Sequence, residues 1–181
     1  EVQRHARKGR DIILIGHKGH PEVIGTLGRH PVDSDTTIYL VEDYEDIEKL
    51  KINSSDIAYV TQTTLSVDET KGLIEALKIK YPQIIGPSAD DICYATQNRQ
   101  DAVKQLSLEC EIVLVIGSKT SSNSNRLKEL AEKCGTKSFL IDDKSDISIE
   151  ELKQTMSVGI TAGASAPEEI VQEVISFLYP L

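Results

Sequence analysis

The chain repeats itself. Tyr39-Leu-Val-Glu-Asp43 matches Phe139-Leu-Ile-Asp-Asp143, Asp11-Ile-Ile-Leu14 matches Glu111-Ile-Val-Leu114, and Val60-Thr61 matches Ile160-Thr161. All three matches share an offset of 100 residues and keep the same order. Self-similarity at one period marks a duplicated structural unit, which constrains the fold more than any single motif does.

Within each copy, short apolar runs alternate with helical patterns. Residues 12–15 end in Gly16 and residues 112–116 end in Gly117. β-Branched runs bounded by glycine fit strands buried on both faces. Leu127, Leu130, Ala131 and Cys134 lie on one helical stripe, with Gly135 as its stop. Leu73, Ile74, Leu77 and Tyr81 form a second stripe ended by Pro82, and Ile170, Val171, Val174, Ile175 and Leu178 a third. Residues 101–109 read as a helix leading into the Glu111 strand, as residues 2–8 lead into the Asp11 strand. Strands alternating with helices predict parallel sheets. The chain reads as α/β, two tandem similar domains with small parallel sheets flanked by helices, at 1–89 and 90–181.

Composition narrows the function. The content of 39% apolar and 27% charged residues excludes a disordered chain, and no apolar run approaches the roughly 18 residues of a membrane span. A net charge of −9 argues against a general nucleic-acid binder, yet leaves room for one phosphorylated small molecule held by helix N-termini. Three cysteines, an odd number, argue against a disulfide framework and for a reducing, cytoplasmic setting. The start, Glu1-Val-Gln-Arg-His, has neither Met nor an apolar signal region, and is read as a point inside a longer protein.

In open parallel α/β folds ligands bind beyond the carboxyl ends of the strands. There the sequence places His17-Lys-Gly-His20-Pro21-Glu22, Thr61-Gln-Thr-Thr-Leu-Ser66, Ser118-Lys-Thr-Ser-Ser-Asn-Ser-Asn125 and Thr161-Ala-Gly-Ala-Ser165. Ser121, Ser122 and Asn123 suit either a helix cap or an anion cradle. Ser165 with Glu168, and Ser66 with Glu69, carry the capping-box pattern, so Ser165 is a cap or a ligand contact. Glu22 complements a helix dipole or donates a proton beside His20. His17 and His20 lack a third metal ligand. Cys93, in a polar loop before a helix, is the one reactive thiol candidate; Cys110 and Cys134 read as packing residues.

Together, Ile15-Gly-His-Lys-Gly-His-Pro-Glu22, Thr61-Gln-Thr-Thr-Leu-Ser-Val67, Asp90-Asp-Ile-Cys-Tyr-Ala-Thr96, Gly117-Ser-Lys-Thr-Ser-Ser-Asn-Ser-Asn-Arg126 and Thr161-Ala-Gly-Ala-Ser-Ala-Pro167 resemble the 4-hydroxy-3-methylbut-2-enyl diphosphate reductase family (IspH or LytB) along essentially the whole chain. The resemblance implies a trefoil of three similar α/β domains around a cavity. It implies a 4Fe-4S cluster held by one cysteine per domain, with a protein electron donor such as ferredoxin or flavodoxin. The implied reaction is reductive removal of the substrate hydroxyl as water in the non-mevalonate pathway, giving isopentenyl and dimethylallyl diphosphate. By the same resemblance Cys93 is one cluster ligand, Glu22 the proton donor, and His20 a diphosphate contact. Thr63 lies near the substrate hydroxyl and Glu22, and Ser121, Ser122, Asn123 and Ser165 cradle the diphosphate. The chain would then be a fragment lacking the first domain, two of three cluster cysteines and the C-terminal tail, inactive alone. The competing expectation is a non-redox binding module for a phosphorylated metabolite.

Overall fold

The computed structural model describes residues 1–87, 92–152 and 157–179. The chain divides into two compact units, Glu1–Cys93 and Tyr94–Leu181. The boundary expected at 89/90 lies outside the described residues, as do Asp90 and Asp91 of the loop expected to carry Cys93.

The first unit runs α1 (Val2–Ala6), β1 (Asp11–Ile15), α2 (Pro21–Leu27), β2 (Ile38–Val41), α3 (Tyr44–Lys49), β3 (Ile57–Thr61) and α4 (Val67–Lys80). Its three strands pair in parallel in the order β2-β1-β3. The central strand alternates between two cores. Ile13 and Ile15 pack with Ile47, Leu73 and Leu77 of α3 and α4, whereas Ile12 and Leu14 pack with Val2, Ala6 and Val23 of α1 and α2. Cover on both faces explains why the run is continuously apolar.

The second unit runs α5 (Tyr94–Glu109), β4 (Ile112–Ile116), α6 (Ser122–Lys133), β5 (Lys137–Ile141), a 3-10 turn (Lys144–Asp146), α7 (Ile149–Leu152), β6 (Val158–Ala162) and α8 (Glu168–Leu178). It repeats the parallel arrangement as β5-β4-β6. Val113 and Val115 pack with Val103 of α5 and Leu127 of α6, and Leu114 and Ile116 pack with Val174 of α8. The duplicated α/β organisation expected from the repeat is present. Among the described residues no helix is long and apolar enough to cross a membrane.

The register corrects the offset. Ile15 pairs with Val41 and Thr61, and Ile116 pairs with Ile141 and Ala162. The first and third strands of the units therefore correspond at 101 residues, and only the second strands at 100. One residue matters, because a slip of one sends every side chain of a strand to the opposite face. At 101, Ile13 and Ile15 correspond to Leu114 and Ile116, and each pair packs on the helix that follows its third strand.

Three local expectations also change. Helix α5 begins at Tyr94 rather than 101, because its first buried positions, Thr96 and Gln100, are polar and gave no apolar stripe. Helix α8 is capped by Pro167, extended at ψ 136°, with no side-chain cap, so the Ser165–Glu168 capping box does not form. Ser66 does accept from the Glu69 N–H, at 3.4 Å. Cys134 is exposed at the C-cap of α6 rather than packed, and Gly135 follows it in the left-handed conformation, φ 88°.

A methyl group on Gly163 would overlap Ser124 Oγ yet stay 3.4 Å from Ser124 Cβ, whereas one on Gly117 would lie 2.9 Å from that Cβ. Each Gly→Ala change should destabilise by about 1–3 kcal/mol in urea unfolding. Adding Ser124→Ala should recover most of the loss at Gly163 and little at Gly117; equal rescue at both would contradict this packing.

His5 is 1% exposed, and burial holds its imidazole below the usual range, with Arg4 and Arg10 adding to the effect against Glu1. The unfolded chain takes up a proton near pH 6.5 that the folded unit resists. Stability is therefore kept above that pH and lost as pH falls toward the depressed folded value. His5→Gln should flatten the decline in urea midpoint between about pH 7 and about pH 5. An unchanged slope would assign the decline to other groups.

Candidate functional site

At the strand tips of the first unit, pairing continues one residue past the strands. The Gly16 N–H donates to Val41 O at 3.0 Å, and the Gln62 N–H donates to Ile15 O at 2.8 Å. A Cβ at Gly16 would meet Val23 Cγ2 at 2.6 Å and Gln62 Cβ at 3.2 Å, so glycine lets α2 start hard against the tips. Gly19, φ 83°, turns the chain, and His20 caps α2, its Nδ1 accepting from the Glu22 N–H at 3.2 Å. Glu22, second in α2, accepts the Thr63 N–H on Oε1 at 2.7 Å. The structure thus brings His20, Glu22 and Thr63 together, with the backbone of Thr63 as the donor. These tips face a cavity of about 400 Å³ whose lining includes Glu22, Thr26, Arg29, Thr61 and Thr63.

Gln62 is a buried link between two of the loops that the motifs occupy. It is 2% exposed, accepts the His17 N–H on Oε1 at 3.0 Å, and donates from Nε2 to Thr64 Oγ1 at 2.9 Å. It ties the histidine loop to the Thr63 turn. One amide inside a run of threonines carries no signal of its own, so only the fold reveals it.

The second unit repeats the geometry. The Gly117 N–H donates to Ile141 O at 2.9 Å, and the Gly163 N–H donates to Ile116 O at 2.8 Å. Ser121 caps α6, its Oγ accepting from the Ser124 N–H at 3.3 Å and from Ser124 Oγ at 3.0 Å. Asn125 Nδ2 donates to Lys119 O and Ser121 O, both at 2.8 Å, and closes the turn before the helix. Ser121 therefore accounts for the cap, leaving Ser122 and Asn123 in the first turn. Asn123 is 7% exposed, yet neither its Oδ1 nor its Nδ2 has a hydrogen-bond partner. A buried polar group left unsatisfied costs about 1–3 kcal/mol, so an amide kept this way asks for a partner from outside the fold. Ser165 is exposed in the turn between β6 and α8, which Gly163 brings against Ser124.

At the structural offset of 101, Glu22 corresponds to Asn123 and His20 to Ser121. Both Glu22 and Asn123 are second residues of the helix that follows a central strand. The acid and the amide are the same position in two copies, a relation hidden by sequence matches at 100.

Cys93 is an exposed free thiol immediately before α5, Cys110 Sγ packs 3.2 Å from a Cβ position at Gly159, and Cys134 caps the far end of α6. Among the described residues no group of three or more His, Cys, Asp or Glu could hold a metal ion. Iron–sulfur clusters are held by sets of thiolates, so the described residues do not by themselves fit one.

The LytB protein family model matches residues 1–179. The 4-hydroxy-3-methylbut-2-enyl diphosphate reductase of Alcanivorax borkumensis is 59% identical over 179 residues, which are 98% of this chain and 58% of that protein. The reductase of the same name from Tolumonas auensis is 56% identical over 182 residues, 100% of this chain and 58% of that protein. Among solved structures, the E-1-hydroxy-2-methyl-but-2-enyl-4-diphosphate reductase from Plasmodium falciparum matches with a TM-score of 0.90 at 36% identity, over 98% of this chain and 55% of that one. A structure of (E)-4-hydroxy-3-methyl-but-2-enyl diphosphate reductase, described as the terminal enzyme of the non-mevalonate pathway, matches with a TM-score of 0.57 at 30% identity, over 99% of this chain and 63% of that one. The chain spans a little over half the length of these relatives. On the matched length and the duplicated α/β units, this chain belongs to the LytB protein family.

Proposed function

We propose that this chain is part of a reductase that removes the hydroxyl of 4-hydroxy-3-methylbut-2-enyl diphosphate as water, yielding isopentenyl and dimethylallyl diphosphate. The observation that carries the reading is Asn123, a buried amide without a partner in the first turn of a 12-residue helix. Such a turn carries the positive end of the helix dipole, which favours an anion without a lysine or arginine. Asn123, with the hydroxyls of Ser121, Ser122 and Ser165, would hold the diphosphate by neutral donors; the family resemblance makes His20 a further diphosphate contact. Glu22 would deliver a proton to the departing hydroxyl, with Thr63 holding that carboxylate through its N–H.

The parent enzyme would use a 4Fe-4S cluster with Cys93 as one of three cysteine ligands, and a protein electron donor such as ferredoxin or flavodoxin. The described residues do not complete that ligand set. We expect the 181-residue chain alone neither to hold a stoichiometric cluster nor to turn over. Three free thiols support a cytoplasmic setting.

The cradle is tested by calorimetry with inorganic pyrophosphate on the 181-residue chain. Asn123→Ala should weaken binding by about tenfold to a hundredfold, the loss of about 1.5–3 kcal/mol expected for a hydrogen bond to a charged group. Equal affinities would remove Asn123 from the cradle. In the full-length parent, Glu22→Gln should leave substrate affinity near its original value and lower turnover by about 10²–10⁴-fold. Near-normal turnover would remove Glu22 as the proton donor. Iron and sulfide analysis after anaerobic reconstitution checks the cluster; a stoichiometric cluster on the isolated chain would overturn the ligand count.

A further inference from the structure

Arg99 joins a helix to a strand tip of the second unit. Half-buried on α5, it donates from Nη1 to Ala95 O and from Nε to Ala162 O, both at 3.1 Å. Ala162 is the last residue of β6. The peptide group that follows it is held at both ends, because its carbonyl accepts from Arg99 and its N–H, that of Gly163, donates to Ile116 O at 2.8 Å. From this fixed peptide the chain turns through Ser165, and the Ala166 N–H closes the turn on Gly163 O at 3.0 Å.

We infer that Arg99 is a positioning residue: it locks the Ala162–Gly163 peptide plane, and so sets where the Ser165 turn stands against the N-terminus of α6. The inference rests on the proposed diphosphate cradle for its purpose, and on geometry alone for the lock. The chemistry asks for arginine. A guanidinium presents fixed, diverging donors that reach two carbonyls at once, whereas a lysine ammonium is a single point charge on a flexible stem. The neighbouring glycine sharpens the need, since without the lock the peptide is held only through the Gly163 N–H, on a residue with little steric restriction of its own.

The test is amide hydrogen exchange by NMR on the 181-residue chain carrying Arg99→Lys or Arg99→Met, with pyrophosphate affinity measured in parallel. Exchange at Gly163 and Ala166 should quicken by about tenfold or more in both variants while Leu114 and Val115 in β4 keep their rates, the signature of local rather than global opening. Pyrophosphate binding should weaken by about fivefold or more in both, with an unchanged urea midpoint. Original exchange rates at Gly163 and Ala166 in either variant would overturn the lock, and so would equal acceleration throughout β4. Pyrophosphate affinity unchanged in both variants while Asn123→Ala lowers it would overturn the role of Arg99 in the cradle. Failure of Asn123→Ala to weaken binding would instead overturn the cradle itself, with exchange still deciding the lock.

Discussion

Parallel pairing of a central strand with a neighbour on each side is the constraint on which the rest of this molecule depends. In each unit that pairing runs one residue beyond the strands, through Gly16 and Gln62 in the first and Gly117 and Gly163 in the second. The three tips therefore end level, and the helix after the central strand must begin against them. Glycine meets that demand, because a side chain at Gly16 would run into Val23, and one at Gly117 into Ser124. The first turns of α2 and α6 are thereby fixed with little freedom, on elements buried from both faces. That rigidity is what a site of a few hydrogen bonds needs.

The two copies carry different residues at the second position of the helix after the central strand. In the first, Glu22 is satisfied by the Thr63 N–H and keeps an acid at the strand tips. In the second, Asn123 is buried with its amide unmatched. In the function proposed above, the acid would supply a proton and the neutral amide would hold an anion. A chain of net charge −9 could hold such an anion with helix N–H groups and hydroxyls, whose use does not require a basic face.

Much of this was legible in the residues. Gly16 and Gly117 ended apolar runs that proved to be central strands, and Gly135 stopped α6. The pairing of Glu22 with Asn123 was not legible, because the strongest self-match, Tyr39 to Val41 against Phe139 to Ile141, belongs to the second strands, which alone keep the offset of 100. Faces and hydrogen bonds, not residue similarity, decide the true register. The early start of α5 was missed because Thr96 and Gln100 are buried polar residues, and Gln62 because its role is a pair of contacts to distant loops. Ser165 carried a capping pattern that Pro167, extended, prevented from forming.

We propose that a diphosphate is the partner which the buried Asn123 amide lacks. The most direct test is a pyrophosphate titration followed by ¹H–¹⁵N NMR of the chain. The account requires saturable shifts at the backbone amides of Ser122, Asn123 and Ser124, at Asn123 Nδ2 and at the Ser165 turn. Shifts confined to exposed lysines such as Lys78 and Lys133, or none at saturating pyrophosphate, would contradict it.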